Sequence, residues 1–292
     1  MTTATDRYRE RLLRVLDHID AHLDDDLDIA TLAGVAAFSR FHFHRQFTAC
    51  FGLPVQRYIQ LARLKRASFQ LAFREQQPVT AIALDAGYDA PEAFARAFRK
   101  RLGQTPSAFR TDPAWQPWLT ALQPLSDART QHMTAFDTAD VSIVDFPETA
   151  ILAMPHHGDP ATIGATIQRF IAWRRAARLP PASCATFNIF HSDPLTTAAA
   201  DYRLDIAVAT NRAIDLTGTD MQAGVIPAGR CARLRITGSG DNLEPAASWL
   251  YGVWLPASGA ELRDFPFFCQ RVSFFPDVPE HLAVTDLFVP LV

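Results

Sequence analysis

The chain has 292 residues, of which 48% are hydrophobic and 20% charged, with a formal net charge of −3. That length suits about two domains, and that apolar share excludes a disordered or low-complexity chain. The small total charge hides an uneven distribution: residues 36–112 hold twelve Lys and Arg against five Asp and Glu, whereas residues 113–292 hold twelve against eighteen.

Residues 7–23 read as an amphipathic helix through Leu12, Leu13, Leu16, Ile19 and Leu23, closed by the solvated triplet Asp24-Asp25-Asp26. From Leu32 to Phe109 the same local message appears twice. Leu32, Ala33, Phe43, Phe47 and Gly52 answer to Ile82, Ala83, Phe94, Phe98 and Gly103. Each copy predicts a short helix, a turn and a longer helix whose Phe pair, four residues apart, lies on one inward face. The second turn has Gly87 for positive φ and Asp89 as a cap; the first has Ala36-Ala37 where a glycine is expected, with Ser39 as N-cap. Gly103 stops the second long helix and Thr105-Pro106 opens another. Residues 55–75 contain neither Gly nor Pro and predict a long helical strut joining the copies. Two long helices held by such a strut match major-groove segments about 34 Å apart, so one chain reads a long duplex site.

The run Ser39-Arg40-Phe41-His42-Phe43-His44-Arg45-Gln46-Phe47, with Arg63-Leu64, Ala67, Ile82-Ala83, Gly87-Tyr88, Phe94, Phe98-Arg99-Lys100, Gly103 and Thr105-Pro106, resembles the DNA-binding region of the AraC/XylS family over residues 6–110. With Phe43 and Phe47 inward, Arg40, Phe41, His44 and Arg45 face outward on the first long helix, and Glu92 and Arg96 do so on the second, followed by Arg99 and Lys100. The resemblance implies double-stranded DNA and RNA polymerase as partners.

Residues 113–140, with Pro113, Pro117 and Pro124 among polar residues, read as a linker, and Trp115 and Trp118 are placed to pack on a neighbouring domain. From residue 141 the pattern becomes β-β-α-β-β, twice: strands at 141–144, 150–154, 184–190 and 202–209 with a helix at 163–177, then strands at 222–226, 231–236, 268–274 and 283–289 with a helix around 243–254. Phe146-Pro147 and Ile226-Pro227, and Gly158 and Gly238, stand 80 residues apart, and Trp173 and Trp254 stand 81 apart. Such a repeat predicts two similar halves packed face to face with a small-molecule cleft at their seam.

His157-Gly158-Asp159-Pro160, Asp193-Pro194, Ile226-Pro227-Ala228-Gly229, the run from Trp254 to Gly259 and Val289-Pro290-Leu291 are similar to a GyrI-like effector-binding domain over residues 141–292. The resemblance implies a pocket with a Glu and a Tyr on a strand of the second half. This chain has Cys269 and Arg271 at those two positions, which puts recognition of cations and acid–base chemistry there in doubt. Positions two apart on a strand share a face, so the exchange removes a negative charge and adds a positive one, favouring a neutral or anionic ligand. Candidate effector contacts are Trp173, Phe187, Tyr251, Trp254, Phe268, Cys269 and Arg271.

Cys50, Cys184, Cys231 and Cys269 share no C-x-x-C spacing, and His156-His157 has no ligand cluster beside it, so neither a metal, a cofactor nor a disulfide is expected. With no signal core and no membrane-length apolar run, a cytoplasmic location is expected. The expectation is a multidomain α and α+β regulator: a double helix-turn-helix DNA-binding domain at 1–112, a linker at 113–140 and, at 141–292, a GyrI-like domain of two pseudo-symmetric halves binding a small-molecule effector. No catalytic residue and no enzyme activity are expected. The alternatives are a GyrI-like hydrolase tethered to DNA and a module that binds a protein partner.

Overall fold

A computed structural model describes residues 4–130, 136–194 and 196–292, without the side chains of 4–7, 9 and 130. The chain divides into two units, Met1–Thr134 with Phe275–His281, and Ala135–Phe274 with Leu282–Val292.

The first unit is helical: α1 (Ala4–Ala21), α2 (Ile29–Val35), α3 (Arg40–Phe51), α4 (Val55–Phe73), α5 (Val79–Asp85), α6 (Pro91–Leu102), α7 (Pro106–Thr111) and α8 (Trp115–Thr130). Phe43 and Phe47 on α3, and Phe94 and Phe98 on α6, are at most 1% exposed. Burying each ring contributes about 1.5–3 kcal/mol, so these pairs fix which face of each helix turns outward. Gly52 and Gly103 end α3 and α6 at φ 72° and 74°. After α5, Gly87 takes φ 79°; after α2 the same place is held by Ala37 at φ 50°. A side chain there costs about 1–2 kcal/mol. Arg11 braces that turn, donating from Nε to the Ala36 carbonyl at 2.6 Å with its guanidinium 4.2 Å from the Phe38 ring centre. The expected Asp89 cap is not formed: Ala90 is the N-cap residue and Pro91 opens α6. Ser39 is the N-cap residue of α3, but its side chain makes no capping bond.

The stretch expected as a linker is largely helix. Trp118, Leu122, Leu125 and Ala128 of α8 are buried in the helical core, at the spacing of one helix stripe. Pro113 and Pro117 sit before and within the first turn, where a missing N–H costs nothing, and only Pro124 interrupts the interior. Residues 131–135 of that stretch lie outside the described residues.

A charged cluster is buried in the same unit. Arg129 Nη2 donates to Asp20 Oδ1 at 2.7 Å, Arg129 Nε to the Tyr58 hydroxyl at 2.9 Å, and Lys65 Nζ to Glu280 Oε1 at 2.8 Å; Arg129 also pairs with Glu280. Two cations thus meet two carboxylates. Burial nevertheless pushes the Asp20 carboxyl up to about 6 against the pull of Arg129.

The second unit holds eight antiparallel strands: β1 (Val141–Phe146), β2 (Thr149–His157), β3 (Thr186–Phe190), β4 (Arg203–Ala209), β5 (Gln222–Ile226), β6 (Gly229–Thr237), β7 (Phe267–Arg271) and β8 (Val284–Pro290). Helix α9 (Ile163–Ala176) serves the first half; α10 (Leu243–Trp249), a π turn (Leu250–Trp254) and α11 (Leu255–Ser258) serve the second. The strand order β1-β6-β8-β7-β3-β4-β2-β5 makes one continuous sheet. The halves therefore join edge to edge through β3 and β7, not face to face. Each half also lends an edge strand to the other, β1 to β6 and β5 to β2. An isolated half would end in unpaired backbone, and the exchange extends each pairing by one strand.

Candidate functional site

On α3 the inward Phe43, Phe47 and Phe51 leave Arg40, Phe41, His44 and Arg45 exposed, Phe41 by 86%. A ring so far out of the core contributes nothing to packing in this unit, which leaves it free for an apolar base contact. On α6, Phe94, Phe98 and Leu102 point inward while Glu92, Arg96, Arg99 and Lys100 are exposed. Among the described residues Arg45, Arg96, Arg99 and Lys100 form no ion pair, so their charge is available to phosphate or base edges. Asp28 caps α2 by accepting from the N–H groups of Ala30 (2.7 Å) and Thr31 (3.0 Å), and these bonds with that of the Thr31 hydroxyl hold its carboxyl below the usual range.

In the second unit the seam is the β3–β7 pairing, where Asn188 lies opposite Cys269. Those two positions are also equivalent in the 81-residue repeat, so the pseudo-twofold passes between them. Cys269 Sγ lies 3.8 Å from Asn188 Oδ1. Phe267, two residues before Cys269 and on its face, stands 5.3 Å from the Phe190 ring and 6.0 Å from Tyr251. Arg271, two residues after, reaches toward Gly240 just before α10; a Cβ on that glycine would lie 3.6 Å from Arg271 Nη2. Burial pushes the Cys269 thiol up to about 11, although Arg271 pulls the other way. A protonated, fully buried thiol is a poor nucleophile.

Two family models match the chain: a helix-turn-helix domain over residues 32–112 and a GyrI-like small molecule binding domain over 139–292. The chain belongs to the GyrI-like family. It is an AraC-type DNA-binding transcription regulator with a GyrI-like small-molecule-binding domain. It is 32% identical over 155 residues to the probable transcriptional regulator YgiV of Escherichia coli K12, covering 53% of this chain and 97% of that one. It is 33% identical over 97 residues to the right origin-binding protein of the same strain, a third of each chain. Among solved structures, the DNA-binding domain of the global transcriptional factor AdpA in complex with a target DNA is 30% identical, with a TM-score of 0.33, over 35% of this chain and 90% of that one.

In the GyrI-like domain the candidate contacts separate by sheet face. Tyr251, Cys269 and Arg271 lie with Asn188, Phe190 and Phe267 on the side that carries the helices. Phe187 and Phe268 do not. They pack on the opposite face with Phe146 and Phe288, Phe268 stacking on Phe288 at 4.9 Å, because strand neighbours of Asn188 and Cys269 must point the other way. Trp173 is a half-buried residue of α9, and Trp254, closing the π turn, packs in the apolar cluster of the second half. Trp254 also lines a cavity of about 390 Å³ with Ile143, Arg230, Glu261 and Leu291, at the β1–β6 edge of the sheet rather than at the seam. Asn188, Phe190 and Phe267 were not singled out from sequence, although strand alternation from Cys269 and the 81-residue offset point to them.

Further features of the domain are structural. Asp205 and Asp286, 81 residues apart, are both buried carboxylates held by basic side chains: His191 bonds to Asp205 at 2.7 Å and Arg203 pairs with it, and Arg235 grips Asp286 with two bonds of 2.6 and 2.7 Å. Burial works to raise the Asp205 carboxyl, but the bonds from His191 and Arg203 outweigh it and hold it low. His156 is buried, bonded to Thr166 at 2.8 Å and to the Asp159 carbonyl at 3.2 Å. Among the described residues no three His, Cys, Asp or Glu side chains are grouped as metal ligands, and no helix is long and apolar enough to cross a membrane.

Proposed function

We propose that one chain reads a duplex at two successive major-groove segments, with Arg40, Phe41, His44 and Arg45 of α3 in one and Glu92 and Arg96 of α6 in the other. Arg99 and Lys100 neutralise phosphate beside the second. The observation that carries this reading is the repetition itself: both modules bury the same Phe pair, end at the same left-handed glycine and turn uncompensated polar side chains outward. The 19-residue strut α4 between them spans about 28 Å. Footprinting is expected to protect roughly two helical turns per chain. Protection of a single turn sinks the two-groove reading.

The effector site we assign to the helix-bearing face of the GyrI-like sheet, at Tyr251, Cys269 and Arg271. The charge there is positive, so a neutral or anionic aromatic ligand fits better than a lipophilic cation. The buried, protonated Cys269 supports ligand sensing without turnover at that residue. Calorimetry with matched anionic and cationic aromatics, followed by mass analysis for products, tests both statements. Tight cation binding, or anion binding unchanged by Arg271→Ala, rules out the positive pocket. RNA polymerase in the cytoplasm is the partner through which such a regulator acts.

A further inference from the structure

The second helix-turn-helix encloses a cavity of about 210 Å³ that base reading does not use, walled by Gln60 and Arg63 of α4, Tyr88 of the turn, and Phe94, Phe98 and Arg101 of α6. A single water needs only about 15 Å³ of such space, so the cavity has room for a polyatomic group. Among the described residues two guanidinium groups line it and no carboxylate does. Asp24 and Asp26, whose charges act on Arg63, are not among the lining residues.

Both arginines are held in place by the protein. Arg63 donates from Nε to the Leu23 carbonyl at 2.8 Å and from Nη2 to the Asp25 carbonyl at 2.7 Å. Its guanidinium lies against Gly87, where a Cβ would stand 2.5 Å from Nη1, so this glycine supplies space as well as positive φ. Arg101 donates from Nη2 to Gln60 Oε1 at 2.7 Å, which holds its guanidinium beside the cavity. Buried or half-buried cations are ordinarily balanced by an anion, and a bound anion would supply that balance to the two guanidinium groups at this cavity. The acceptor that suits a guanidinium fork, excess positive charge and a tyrosine hydroxyl is an oxyanion.

We propose that this cavity binds a small oxyanion of the phosphate class through Arg101 and Arg63, with Tyr88 beside it. The phosphate group comes either from a free phosphate or monoester or from the backbone of bound DNA. The site is independent of the base contacts assigned to the outer face of α6.

The test titrates the full chain calorimetrically with sodium phosphate at fixed ionic strength, without DNA, and measures duplex affinity against salt. For a free anion, binding is saturable, falls by at least about tenfold in Arg101→Gln and in Leu64→Phe, and survives in Arg14→Gln, at an exposed arginine of α1. Leu64→Phe fills the cavity while keeping every charge, so it decides the question if Arg101→Gln does not fold, and Arg101→Gln decides it in the converse case. For a DNA phosphate, free phosphate does not bind, but the slope of log affinity against log salt drops by about one in Arg101→Gln. Absence of saturable phosphate binding together with an unchanged slope overturns the proposal. So does equal weakening of phosphate binding in all three variants, which marks a general charge effect.

Discussion

Arg45 stands one helical turn beyond Phe41 on the exposed side of α3, and no carboxylate of the described residues neutralises it. Replacing it by alanine is expected to cost about 1–3 kcal/mol on a cognate duplex and to relax selectivity at one base pair, read by anisotropy titration against cognate and random duplexes. An equal loss on both reduces Arg45 to a phosphate contact. The outward set on α3 and α6 was legible in the sequence because paired phenylalanines four apart define the inward face. The shared face of Cys269 and Arg271 was legible for the same kind of reason, with a period of two. Alternation applied one residue further puts Phe268, and by the repeat Phe187, on the face opposite Cys269. The cavity beside Arg63 and Arg101 had no sequence signal, since only the fold brings those positions of α4 and α6 together.

Elements were most visible where one periodicity ran uninterrupted. All eight strands of the GyrI-like domain fall close to their expected places, whereas α8 was hidden by its prolines. Its stripe Trp118, Leu122, Leu125 was present, but three prolines in twelve residues read as a linker. Pro124 is exposed and inside the helix, so Pro124→Ala restores a backbone hydrogen bond and should stabilise the first unit by about 1–3 kcal/mol. Urea melts check this, and no gain means that α8 bends to accommodate the ring. The same unit has a pH signature. Asp20 keeps its proton longer when folded than when unfolded, so its contribution is complete below the unfolded value of 3.8 and is lost as the pH rises through about 6. Thermal melts of the wild type between pH 4 and 7 should carry that downward component with rising pH, and Asp20→Asn should remove it. A profile of unchanged shape in the variant assigns the slope to other groups.

At the scale of the whole molecule the sequence showed two repeats of different kinds, one helical and one mainly β, and a charge imbalance that follows them. It did not show how the halves of the GyrI-like domain meet. An 80-residue period is equally compatible with stacked sheets and with one sheet grown from both sides; exchange of β1 and β5 between halves decides it, and those pairings lie far apart in sequence.

The buried charge cluster also sets where the gene can be divided. Glu280, which balances Lys65 and Arg129, is encoded some 150 codons after the last helix of the unit it completes. A fragment ending at residue 134 therefore retains two buried cations and only one of their anions. Losing one partner of such a pair costs about 3–5 kcal/mol, a large part of a small domain's stability. That fragment is expected to melt well before the same helices in the full chain, and a synthetic peptide of residues 275–281 should recover part of the loss. Equal melting of fragment and full chain would mean that the distant carboxylate contributes nothing. Grafting this DNA reader onto another sensor thus means transplanting two separated pieces of coding sequence, the longer one and a heptad of codons from near the end.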